Sequence, residues 1–347
     1  MTVVAVTHGY PPVWNMGGEV SLHRSLKALD EEVVVLTRTD EEYSFEGISV
    51  KPIAVADVLN PRTNPIPLAN QLRELQARVV IAQNELSFPA VRAARTAKTI
   101  SLVSVHTPPR YGRGIRDGLR LADYAVYNTR AAAKAWGEPD AFVLHPPVTP
   151  LPADKPPKGD AYTLLSSLRN KGVTVALELA KRYPDKRFII VRSPAEATHG
   201  LPDLEQQAAA LPNVELMPRV APEEVYKYLR QTRILLVPSR YETYGMSTLE
   251  AAGYGIPTIH VDTPDVREGI GKSAYLIPPL GVEEADKGIQ AIESGYVGYS
   301  RQARLRAEEV WARQWRELKA FNHYVKGLEP RPDIRNRQRA VARAPVR

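Results

Sequence analysis

The chain has 347 residues, with 44% apolar and 24% charged side chains, so it is of ordinary globular composition and long enough for two domains. It contains no cysteine, which excludes disulfides, thiolate metal sites and cysteine nucleophiles and fits an intracellular protein. The net charge is +7, but residues 330–347 alone carry six Arg and one Asp, leaving the rest of the chain close to neutral. This Pro- and Arg-rich tail lacks the apolar residues to fold. It reads as a solvated appendage able to contact an anionic polymer or membrane surface.

The opening MTVVAVTHGYPP has no basic n-region and no apolar h-region, so no signal peptide is expected. Apolar runs such as 188–191 and 234–237 fall far short of the roughly 18 residues of a membrane span. A cytoplasmic location is expected, peripheral at an anionic surface if the tail engages one.

From the N-terminus, runs rich in β-branched residues at 2–7, 33–37, 78–83, 100–106, 124–128 and 141–145 read as buried parallel strands. Helical patterns lie between them at 18–29, 68–76, 87–97, 113–121 and 129–136. The segment PPVTPLPADKPPKG then interrupts the alternation and reads as a semi-rigid linker. Alternation resumes with strands at 162–167, 187–191, 214–218, 233–239, 257–261 and 274–278. Helices are expected at 171–183, 203–210, 222–231, 246–254, 264–270, 282–294 and 299–325. The pattern predicts an α/β protein with two Rossmann-like doubly wound parallel-sheet domains facing across a cleft. The expected divisions are an N-terminal domain over 1–148, a linker over 149–160, a second domain over 161–298, a final helix over 299–326 and the tail over 327–347. The final helix carries Trp311, Trp315, Phe321 and Tyr324 at a spacing that reads as core packing.

The most informative stretch is RILLVPSRYETYGMSTLEAAGYGIPTI (233–259). A buried strand ends at Pro238-Ser239, a loop carries Glu242, and a helix starting near Met246 carries Glu250. Gly245 lets the backbone pass close to a ligand, and the free N–H groups of Met246, Ser247 and Thr248 make an anion site. Glu250 can accept two hydrogen bonds from a vicinal diol such as a ribose, and Glu242 can bind hydroxyls of a second ring.

Here the sequence resembles the retaining GT-B glycosyltransferases of family 4, the glycosyltransferase group 1 domain. Their signature E-x-[FY]-G-x-x-x-x-E-A-x-x-x-G-x-P reads ETYGMSTLEAAGYGIP in this chain. The family also opens with a strand and a loop ending in Gly-Gly, here HGYPPVWNMGGEV, with Gly17 and Gly18 able to admit a donor phosphate. It carries a His after a middle strand of the first domain, which the resemblance places at His106 in VSVHTPP; His8, at the end of the first strand, is a weaker candidate. The family's G-R-L-x-x-x-K-G pattern survives in LLSSLRNKGV as Lys171-Gly172, but Ser166 stands where Arg is expected, so Arg169 becomes the second candidate cation. Glu268 in PDVREGIG matches a family Glu near the donor and reads equally as a helix-surface acid.

The resemblance implies transfer of a sugar from a nucleoside-diphosphate sugar, as co-substrate, to an acceptor hydroxyl with retention. No other cofactor is implied. No D-x-D occurs in the chain, so the leaving diphosphate would be neutralised by Lys171, Arg169 and backbone amides rather than by a metal, each such donor contributing about 3–4 kcal/mol. Catalytic roles fall to His106, Glu242 and Lys171. The donor site comprises Gly17, Gly18, Arg169, Lys171, Glu242, Gly245, Met246, Ser247 and Glu250.

Arg110, Arg113, Arg116 and Arg120 form either a solvated helix face or a site for an anionic acceptor, with Arg110 and Arg113 the candidates. The acceptor is left open among a glycan, a lipid head group, a sugar phosphate, a protein and modified DNA. Two alternatives stand beside this reading. One is another GT-B sugar-nucleotide enzyme, an epimerase or a phosphorylase. The other is a non-catalytic, nucleic-acid-associated GT-B scaffold.

Overall fold

The computed structural model describes residues 2–14, 16–54, 60, 63–149, 159–193, 195–221 and 224–331. The proline-rich stretch at 150–158 and the tail from 332 onward lie outside the described residues. The chain divides into two units. One ends at Pro147 and resumes at Gln314; the other runs Val148–Arg313.

In the first unit the β-branched runs become β1 (Thr2–Val6), β2 (Glu32–Thr37), β5 (Ala77–Gln83), β6 (Ile100–Val105), β7 (Tyr124–Tyr127) and β8 (Phe142–Val143). Two further strands, β3 (Tyr43–Phe45) and β4 (Ile48–Pro52), form a hairpin that the sequence reading did not anticipate. The sheet order is β3-β4-β2-β1-β5-β6-β7-β8, parallel throughout except for the antiparallel pair β3–β4.

Alternate residues of each strand face opposite sides. Val4, Val6, Val80, Ala82, Val103 and Val105 pack beneath α2 (Ile66–Glu74), α3 (Ser87–Ala97) and α4 (Arg113–Leu121). Val3, Ala5, Ile81 and Leu102 meet Leu22 and Leu26 of α1 (Gly17–Leu26) and, from the chain's last helix, Phe321 and Val325. After β7, Thr129 caps α5 (Arg130–Ala135) by accepting the Ala132 N–H at 2.9 Å.

The second unit is a six-stranded parallel sheet in the order β11-β10-β9-β12-β13-β14. Its strands are β9 (Ala161–Leu164), β10 (Phe188–Val191), β11 (Val214–Met217), β12 (Thr232–Val237), β13 (Thr258–Val261) and β14 (Ala274–Ile277). Its helices are α6 (Val173–Arg182), α7 (Glu196–His199), α8 (Leu204–Ala209), α9 (Tyr226–Leu229), α10 (Met246–Gly253), α11 (Pro264–Ile270) and α12 (Val282–Ser294). The short α7 was not anticipated. Tyr162, Leu164, Phe188, Ile190, Ile234 and Leu236 pack against α6 and α12 through Val173, Leu177, Ile289 and Ile292.

The 31-residue α13 (Tyr296–Lys326) contributes its residues up to Arg313 to the second unit and those from Gln314 to the first. Its predicted apolar role fails at Trp315, which is 78% exposed. The ring occupies a helix position between the buried Val310 and Leu318, off the inward stripe that continues through Phe321 and Val325. No helix among the described residues is long and apolar enough to cross a membrane.

Each sheet reverses its winding direction once. In the first unit β1 is followed outward by β2 on one side and by β5 on the other; in the second, β9 has β10 on one side and β12 on the other. Loops leaving the carboxyl ends on either side of such a reversal splay apart and leave a crevice. In the second unit those loops begin at residues 165 and 238.

Candidate active site

Two glycines with positive φ bring the loops after β9 and β12 together. Gly172 (φ 91°) ends a turn over Arg169–Lys171 and starts α6. A Cβ there would lie 2.7 Å from the Pro238 carbonyl oxygen, so only glycine permits this approach. The backbones are joined where the Arg240 N–H donates to the Asn170 carbonyl at 2.8 Å. The Lys171 Nζ thereby reaches Glu242 Oε1 at 2.6 Å, the two side chains being 31% and 18% exposed. Gly245 (φ 91°) performs the second turn, ending the loop and starting α10.

Glu242 is held from several directions. Ser239 Oγ donates to its Oε1 at 2.9 Å, and Thr263 Oγ1 donates to its backbone carbonyl at 2.9 Å. Thr263 also caps α11 by accepting the Val266 N–H at 3.1 Å, with Pro264 at the first helical position. Tyr241 donates to Asp265 Oδ2 at 2.6 Å, tying the same loop to the first turn of α11. Burial pushes the Glu242 carboxyl up, but the Lys171 ammonium, the neighbouring His260 ring and the hydrogen bonds from Lys171 and Ser239 outweigh it. The net pKa lies below the ordinary carboxylate value, so Glu242 is an anion at neutral pH.

The other predicted residues of the second unit distribute as follows. Met246 and Ser247 open α10 as its first two residues, and Glu250 follows one turn later, half-buried. Arg169 is exposed and lines an open groove of about 540 Å3 with Asn170, Glu196, His199 and Pro202. Ser166, where the resemblance wants Arg, is committed to Ser193 through a 2.8 Å hydroxyl–hydroxyl hydrogen bond. Glu268 offers its carbonyl to Arg306 at 2.7 Å.

Ser239, Thr263, Tyr241, Asp265 and His260 were passed over in the sequence. Thr263-Pro264 is a readable helix start, and a histidine inside the apolar strand TIHV is an anomaly that could have been flagged.

In the first unit Gly17 and Gly18 form the first turn of α1 rather than a loop ahead of it. His106 follows β6, with Nε2 2.9 Å from Ser104 Oγ, and burial pushes its pKa down to about 4, so the ring is neutral. Together with Ser25 and Asn128 it lines a cavity of about 10 Å3, room for one water. His8 Nδ1 lies 2.9 Å from Glu85 Oε1. Arg110 and Arg120 are exposed, whereas the Arg116 guanidinium stacks over Trp136, 5.2 Å from the ring centroid. The Arg113 side chain lies outside what the structure describes.

Glu19, in the first turn of α1, is 4% exposed and accepts a 3.3 Å hydrogen bond from Asn84 Nδ2 and one from its own backbone N–H. Burial raises its pKa from 4.5 to about 7. The folded state therefore keeps a proton that the unfolded chain releases, so this contribution to stability is complete below pH 4.5 and disappears as pH rises through 7. Glu19→Gln is expected to stabilise the protein at pH 8, by up to about 3 kcal/mol, and to change little at pH 4.5. Denaturant unfolding of both proteins at the two pH values checks this.

Residues 162–293 match the model of the family described as glycosyl transferases group 1. An uncharacterized 41.2 kDa protein in the cps region of Klebsiella pneumoniae is 27% identical over 105 residues, a match spanning 30% of this chain and 28% of that protein. Among solved structures, HepE of Anabaena in complex with UDP and glucose is similar with a TM-score of 0.74 and 16% identity, over 93% of this chain and 98% of that one. Sucrose-phosphate synthase from Thermosynechococcus elongatus gives 0.69 and 15%, over 94% and 98%. The trehalose-6-phosphate synthase OtsA gives 0.70 and 12%, over 95% and 100%. At such identities the likeness establishes the fold, two parallel-sheet α/β domains of the GT-B kind. The family match over 162–293, which lies within the second unit, supports a group 1 glycosyltransferase domain there.

Proposed function

We propose that the protein transfers a sugar from a nucleoside-diphosphate donor to an acceptor hydroxyl, with retention at the anomeric carbon and without a divalent metal. The observation that carries this reading is the Lys171–Glu242 pair, set at the winding reversal of the second sheet beside the N-terminus of α10. The N–H groups at that terminus and the Lys171 ammonium supply fixed positive charge for a diphosphate. Glu242 is ionised and accepts hydrogen bonds from sugar hydroxyls, and Glu250 does the same for the ribose. Arg169 adds charge at the rim.

On this reading Gly17 and Gly18 belong to the donor site and the neutral His106 is catalytic. Arg110 and Arg113 are the residues of the first unit that would favour an anionic acceptor. HepE, in complex with UDP and glucose, makes UDP-glucose the first donor to try.

A thermal-shift series with UDP, GDP, UDP-glucose and GDP-mannose, each with and without a chelator, tests the proposal. A ligand at 100 times its Kd stabilises the fold by about 2.7 kcal/mol, and at least one of the four is expected to do so. No shift from any of them would refute the donor assignment, and a shift abolished by the chelator would refute metal independence. Release of free nucleotide with no acceptor needed would instead mark an epimerase.

A further inference from the structure

His260, at the carboxyl end of β13, has no exposed surface. Its Nδ1 stands 2.8 Å from the Val261 carbonyl oxygen. A carbonyl only accepts, so the proton sits on Nδ1 and Nε2 is the bare nitrogen. That Nε2 is buried and has no hydrogen-bond partner among the described residues. It faces the start of α10, because a Cβ on Gly245 would come within 3.2 Å of it. A lone pair hidden from water with nothing to accept from is a group that packing alone does not explain.

Two charged groups act on the ring: Glu242 from the loop after β12 and Lys171 from the turn before α6. In the structure these two cancel one another at 2.6 Å. A diphosphate competes for the Lys171 ammonium and brings further negative charge of its own. Glu242 is then left little exposed and without its dedicated cation, which is unfavourable unless positive charge returns. Besides Lys171, the group that acts electrostatically on Glu242 is the imidazole, whose ordinary pKa lies closer to neutrality than that of a carboxyl.

We propose that His260 is the charge-compensating residue of this site, taking one proton from solvent onto Nε2 when a nucleoside diphosphate draws Lys171 from Glu242. The inference rests on the donor site proposed above. No bond between heavy atoms changes; the proton comes from water or buffer and returns when the nucleotide leaves. His260 is a positioning residue that keeps Glu242 ionised and in place while Lys171 serves the phosphates. Consistent with this, burial and Lys171 hold the imidazole below its ordinary pKa, against the pull of Glu242 and the Val261 carbonyl.

The test has two arms on the full chain. In the first, UDP and GDP are titrated calorimetrically at pH 7 in buffers of different ionisation enthalpy. The wild type is expected to take up on the order of one proton more than His260→Gln, which subtracts the nucleotide's own ionisation. Equal proton counts overturn the inference. The second arm needs no ligand: in Lys171→Met the ring NMR signals of His260 are expected to titrate about one unit or more above their wild-type midpoint. An unmoved midpoint overturns it equally. If neither nucleotide binds, the donor reading falls and the second arm decides the inference alone.

Discussion

Lys171→Met is expected to lower kcat/KM for the sugar-nucleotide donor by about two to three orders of magnitude. The ammonium is held by Gly172 and the Arg240–Asn170 backbone link at the mouth of the second sheet's crevice. A cation fixed in advance loses nothing to reorganisation when charge builds on the leaving phosphate. The substitution also strands Glu242, a carboxylate with 18% exposure, so part of any loss could be structural. The double variant Lys171→Met/Glu242→Gln, read against Glu242→Gln alone because Glu242 is itself assigned to the donor, separates the two effects. It removes both charges, so its melting temperature should recover toward wild type while turnover stays low. Recovery of turnover in the double variant would show that Lys171 serves only to hold the loop.

The largest expected effect on stability comes from Gly172→Ala. Its backbone sits at φ 91°, a conformation that costs a side chain of order 1–3 kcal/mol. The new methyl would also lie 2.6 Å from Pro238 Cγ and 2.7 Å from its carbonyl oxygen, contacts relieved only by parting the two loops. Overpacking of this kind adds about 1–3 kcal/mol. Denaturant unfolding should show a loss of about 2–6 kcal/mol, and nucleotide affinity should fall with it as Lys171 and Glu242 separate. By contrast Gly47 (φ 84°), with open space around its Cβ position, should show only the backbone cost when changed to alanine.

The strands of both sheets could be read because parallel strands are buried on both faces and so appear as unbroken apolar runs: TVVAV and TRILLV announce themselves. The β3–β4 hairpin did not. YSFEGISVKP is a half-exposed edge element whose polar positions conceal it, although Glu46-Gly47, both at positive φ, is a two-residue hairpin turn. The candidate site was legible where sequence spacing sets its residues on one strand–loop–helix segment, as with Glu242, Gly245 and Glu250. It was less so where tertiary structure does the linking. Nothing local says that residues 171 and 242 meet, and only the family resemblance put them in one site. Thr263 and His260 act through backbone and burial, and neither leaves a charge or glycine pattern to follow. Trp315 misled because helical spacing identifies a stripe, while which side of the stripe a borderline position falls on depends on the neighbouring sheet.

The division of α13 governs the order in which the chain can be completed. Phe321, Val325 and Leu328 close one side of the first sheet, and Arg78 is anchored there by the Val325 carbonyl at 3.0 Å. Those residues are made some 170 positions after Pro147, so the half that is begun first stays unfinished until they have emerged. The later-made half, continuous from Val148 to Arg313, has all its strands in hand beforehand and should be protected from proteolysis on nascent chains before the earlier one.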